Sequence, residues 1–149
     1  MAKKFKFRLK SVLKYRKIIK DQQEAKLIRA EHARQETEAD IKSLEDKRHE
    51  TYQSMIKNLK SGFNLQDQLN HESFNRSILY DTSKEKTRLA KRIRAVEFEK
   101  SKLIKNNIDL KTIEKLEDNA IKLHRKEILE EEMKQIDDLV NTRHRVKDR

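Results

Sequence analysis

The chain has 149 residues, of which 42% are charged and 34% hydrophobic, with one Gly, no Pro and no Cys. Turns lean on Gly and Pro, so few sharp reversals are expected, and the lack of Cys excludes disulfides, thiolate metal sites and thiol catalysis. The longest unbroken apolar run, Ile78-Leu79-Tyr80, falls far short of the ~20 residues of a membrane-spanning helix. The expectation is an elongated, soluble, cytosolic, all-α protein without a secretory signal.

Charge is laid out in blocks. Met1 to Lys20 holds nine basic residues and no acid, whereas in Asp21 to Glu50 nine acids outnumber six bases. Lys84 to Lys105 is basic, nine against three; Glu127 to Asp138 is acidic, six against one; Arg143, Arg145, Lys147 and Arg149 make a basic tail. Alternating blocks point to pairing between helices or with a partner, whereas a nucleic-acid binder would carry a more uniform basic coat.

The first segment, Phe5-Lys6-Phe7-Arg8-Leu9-Lys10-Ser11-Val12-Leu13-Lys14-Tyr15-Arg16, admits four readings. It is a frayed helix end with solvated lysines, an interfacial membrane helix, a targeting peptide, or a docking tip for a protein. The targeting reading is disfavoured because the helix runs straight on into an acidic stretch. Helix one is expected from about residue 9 to 60. Along it Leu13, Leu27, Ile41 and Met55 recur every fourteen residues, with Lys20, Arg34 and Arg48 halfway between. Long basic side chains lay their stems along such a seam and keep their heads wet, which weakens the contact and helps fix its register.

The clearest punctuation is Ser61-Gly62-Phe63-Asn64. Gly62 suits the left-handed residue just past a helix end, and Asn64 is a fitting N-cap, so a turn is expected at about 61–64. Helix two is expected from about 65 to 143. Within it Leu89, Val96, Leu103 and Leu110 recur every seven residues, with Ile93 between the first two, the mark of a coiled-coil seam. Near its end Leu129, Met133, Ile136 and Val140 form a second stripe beside the acidic block. A short connection makes the helices antiparallel, giving a single coiled-coil hairpin over 1–149. Its rival is one continuous helix in a parallel dimer, since a lone Gly inside a helix costs only about 1 kcal/mol.

No constellation for catalysis stands out. One Gly cannot build a phosphate-binding loop, and His32, His49, His71, His124 and His144 stand singly, without a paired zinc-binding spacing. Acid pairs such as Glu130-Glu131 read as solubilising charge. Neither catalytic, cofactor-binding nor metal-ligating residues are expected.

The opening FKFRLKSVLKYRK, running into EAKLIRAEHARQETEADIKSLE, resembles the flagellar export protein FliJ family. That family often begins aromatic–basic–aromatic–basic–Leu, followed by a Val-Leu or Leu-Leu pair and more basic residues. The resemblance continues through Tyr52, Gly62, Phe74 and the stretch LKTIEKLEDNAIKLHRKEILEEEMKQIDDLVNTRH. It implies a non-enzymatic antiparallel coiled-coil hairpin of the bacterial flagellar type III export apparatus, similar to the central shaft of rotary ATP synthase. It further implies a stalk in the ring of the export ATPase FliI, promoting its assembly and activity, with contacts to the export-gate protein FlhA and to export chaperones. That work would lie in the cytoplasm at the inner face of the membrane, reached only through partners, in the service of motility and chemotaxis. By this analogy Phe5, Phe7, Arg8, Leu9, Arg16, Leu129, Met133, Ile136 and Val140 would dock in the ring. Tyr52, Phe74 and Ile78 would face the gate; the structural alternative for Phe74 and Ile78 is a cluster packing the hairpin corner with Phe63. A virulence-type secretion stalk is a sister reading. The alternatives from other classes are a nucleic-acid-associated basic coiled coil, which lacks a base-stacking platform, and a purely structural dimerising coil.

Overall fold

The computed structural model describes residues 4–62 and 64–147. Two helices account for nearly all of it: α1, Lys10–Ser61, and α2, Leu65–Lys147. They pack against each other as an all-α antiparallel coiled-coil hairpin, the architecture expected from the sequence. α1 starts and ends one residue later than the periodicity suggests, and α2 runs on to Lys147 rather than stopping at Arg143. Phe63, offered above as part of a corner cluster, lies outside the described residues.

Local chemistry accounts for the reversal. The Gly62 N–H donates to the Asn58 carbonyl at 3.1 Å, closing the last turn of α1, and Gly62 then takes φ +142°, a conformation that side chains with a Cβ rarely adopt. The Asn64 side-chain oxygen accepts from the Gln66 N–H at 3.0 Å, satisfying one of the donors that a helix start leaves without a partner. Lys60 in the last turn of α1 and Asp67 in the first turn of α2 complement the helix dipoles.

Contacts divide the chain into two units, Gln22–Ile104 and Met1–Asp21 with Lys105–Arg149. In the first, burial on both helices follows alternating steps of three and four residues. On α1 it falls on Gln23, Leu27, Ala30, Arg34, Thr37, Ile41 and Leu44; on α2 it falls on Ile78, Thr82, Glu85, Leu89, Arg92, Val96, Glu99 and Leu103. One row of α1 therefore carries the expected Leu27 and Ile41, while the other alternates polar Gln23 and Thr37 with Ala30 and Leu44. Ile93 is 39% exposed, and Arg92 takes the inward position instead. The step from Leu89 is three residues, so the next one is rotated ~100° away from the partner helix.

Polar residues in the seam are held specifically. The Gln23 amide donates to the Glu99 carbonyl at 3.2 Å and also bonds the Glu99 carboxylate. Thr37 turns its hydroxyl onto the Ala33 carbonyl of its own helix, 3.0 Å away. Lys100 reaches Glu31 across the helices at 4.0 Å, and Asn58 meets His71 at 3.3 Å near the turn. From the Gln23–Glu99 pair to the Asn58–His71 pair the α2 partner moves back along the chain as the α1 partner moves forward, which is antiparallel pairing. Arg34 Nε, Arg92 Nε and Glu85 Oε2 are buried without a hydrogen bond, so this seam gives up stability to its polar content.

The second unit pairs the start of α1 with the later part of α2. Leu13 and Leu110 are buried, and Arg16 bridges to Asp109 at 3.1 Å. Ahead of α1 the chain is not helical over Lys4–Phe7; it continues beside α2, where the Phe5 ring meets His124 with centroids 5.5 Å apart.

Candidate protein-docking surfaces

At the N-terminus the structure separates residues that the sequence groups together. Phe5 and Phe7 are half-buried, Phe5 against His124, and Arg16 is half-buried and paired with Asp109. Arg8 and Leu9 are exposed. The interfacial-helix reading of this segment does not hold as drawn, because Phe5 and Phe7 lie outside any helix and Leu13 faces the seam. Over Lys4–Phe7 the chain is non-helical, with Lys4 and Lys6 exposed and Phe5 and Phe7 half-buried.

The C-terminal stripe is different. Leu129, Met133, Ile136 and Val140 are 50–65% exposed, and every residue from Leu129 to Lys147 is exposed. Among the described residues, none buries these side chains. Acidic side chains stand beside the stripe, Glu130, Glu132 and Asp137 among them, and Arg143, Arg145 and Lys147 follow.

Near the turn, Tyr52 is 56% exposed and lines an open groove of about 640 Å³ with Glu45, His49, Met55, His71 and Glu72. Phe74 is 50% exposed, but Ile78 is only 4% exposed and belongs to the seam. Of the three residues grouped above as a gate contact, two present themselves to solvent, while Ile78 supports the helix pair from inside. Phe74 and Ile78 are one helical turn apart, yet the step of four residues carries Phe74 just outside the contact.

The basic block from Lys84 to Lys105 is partly spent within the fold: Lys100 pairs with Glu31, Arg88 with Glu85 at 3.5 Å, and Lys102 caps the Phe98 ring at 4.4 Å. Among the described residues no three His, Asp or Glu side chains are placed to hold a metal ion, and no helix is long and apolar enough to cross a membrane.

The family model described as Flagellar FliJ protein matches residues 5–149. The chain belongs to the FliJ family. Membership makes it a coiled-coil protein of flagellar export, and the match covers both the Phe5–Arg16 opening and the bare C-terminal stripe. No curated protein and no solved structure matches the chain significantly.

Polar residues of the seam were missed by sequence reasoning. Gln23, Thr37, Arg92 and Glu99 have no apolar signature; their signal is phase, four residues before Leu27 and Ile41 and three after Leu89 and Val96.

Proposed function

We propose that this FliJ-family chain is a non-enzymatic stalk of the flagellar type III export apparatus. It docks in the ring of the export ATPase, promotes the ring's assembly and activity, and links it to the export gate and to export chaperones. It works in the cytoplasm at the inner membrane and is held there only by its partners. The observation that carries this reading is the family match over residues 5–149. The exposed stripe Leu129, Met133, Ile136 and Val140, with Arg8 and Leu9, supplies the side chains for the ring. Phe5, Phe7 and Arg16 hold the N-terminal segment in place against α2 and so shape the same surface. Tyr52 and Phe74 are the exposed candidates for the gate, with Ile78 behind them as support.

The test is the hydrolysis rate of the cognate ring ATPase with substoichiometric amounts of the chain. The expected result is a higher rate, weakened when residues 1–16 are removed and weakened again when residues 129–149 are removed. No change in rate with the intact chain would overturn the stalk reading. Unchanged activation by both truncated chains would overturn the assignment of the docking surface.

A further inference from the structure

The buried face of α2 in the terminal unit passes through Leu110, Ile113, Glu117, Ala120 and His124. Carried forward at the same alternating spacing, it reaches Glu127, Glu131, Lys134, Asp138 and Asn141, all polar, and half-buried Ile128 beside it is the last covered residue of the helix. The hairpin seam thus stops being apolar just past Ile128, one turn beyond the His124 that Phe5 meets. Leu129, Met133, Ile136 and Val140 instead lie roughly 120–180° around the helix from that seam, at ~100° per residue. The tail is not a seam waiting for a longer first arm. It is a second contact face, turned away from the first.

Charge decides what covers it. Glu132 borders the stripe on one side, Glu130 and Asp137 on the other. A second copy laid parallel would set Glu132 of one tail against Asp137 of the other. Laid antiparallel, with Leu129 on Val140 and Met133 on Ile136, it would set Glu130 against Asp137. Like charges opposed across a helix pair select against it. We propose that the tail takes a helix of another protein, one with an apolar three-four repeat flanked by Lys or Arg, against the face opposite the hairpin seam. This rests on the docking reading above and adds the partner's chemistry and its side of approach.

Two labelled helical peptides of about 21 residues, both with Leu rows, test it by fluorescence anisotropy with the full chain: one flanked by Lys, the other by Glu. The chain's net charge of +11 favours the Glu-flanked peptide, so the local and global charges predict opposite outcomes. The expected result is about tenfold tighter binding of the Lys-flanked peptide, weakened by salt. Joint Glu130→Gln, Glu132→Gln and Asp137→Asn substitution, or Ile136→Asp alone, reduces that binding about tenfold. The control pair Glu131→Gln and Asp138→Asn, on the seam side, changes it less than about twofold, and circular dichroism monitors helix content in every variant.

Equal or tighter binding of the Glu-flanked peptide, no binding of either, or equal loss in both sets of variants would overturn the proposal. So would a dimer in light scattering that Ile136→Asp dissolves, which would make the occupant a second copy. The peptide assay needs no ATPase. Peptide binding without ATPase stimulation would therefore leave this inference standing while the stalk reading falls.

Discussion

Two parts of α2 in the same unit carry apolar repeats of the same period and meet different fates. Leu110 is buried and Ile113 half-buried, beside the bridge from Arg16 to Asp109. Leu129, Met133, Ile136 and Val140 are bare. Period alone does not distinguish them, because both read as stripes of a paired helix. Phase does: the first stripe lies on the face turned to α1 and the second lies away from it. An apolar stripe announces that a helix has a partner, and its rotation about the axis decides whether that partner is the other arm of the hairpin.

The comparison is broken most forcefully by matched truncations. Ile78 is 4% exposed and Ile136 is 58% exposed. Urea unfolding followed by circular dichroism should show Ile78→Ala losing about 3 kcal/mol of stability. Ile136→Ala should stay within about 0.5 kcal/mol, as exposed substitutions do. Similar losses at both sites would mean that the tail is packed in the free chain. A small loss at Ile78 would return that residue to the role of a surface contact.

The next effect in size concerns the turn. A Cβ on Gly62 would meet nothing within 4 Å, so only the φ of +142° penalises Gly62→Ala. A cost of about 1–2 kcal/mol is expected, read in the same unfolding experiment. A neutral substitution would show that the turn does not depend on this conformation.

How much of this was legible in the sequence varies with the kind of signal. The reversal was readable because Gly62 and Asn64 are chemically suited to end one helix and start the next. The apolar rows through Leu13, Leu27 and Ile41 and through Leu89, Val96 and Leu103 were readable because hydrophobicity marks burial. The polar rows were not. Gln23 and Thr37 sit in the seam by satisfying their own hydrogen bonds, which composition does not report. Ile93 was misplaced because four and then three residues from Leu89 to Val96 fit a seam as well as three and then four, and only the position of the partner helix selects Arg92. At the surfaces, Phe5 and Phe7 looked like tip residues and proved to be half-buried. Their packing on α2 depends on a partner more than a hundred residues away in the chain, His124 in the case of Phe5.

The smallest effect sharpens the terminal unit. The Arg16 and Asp109 side chains remain 37% and 48% exposed, so water and salt screen their attraction. Asp109→Asn should cost less than about 0.5 kcal/mol, and the difference should vanish at high salt. A larger, salt-resistant loss would mean that the bridge carries more of the unit's stability than Leu13 and Leu110 do.

Amide hydrogen exchange along α2 in the isolated chain tests the contrast between the two stripes most directly. Protection should hold through the seam residues up to about His124 and fall away over Leu129–Lys147, where exchange is about a hundredfold faster because no tertiary contact holds the helix. Seam-level protection continuing to Lys147 would contradict the account, since the tail would then already have its partner.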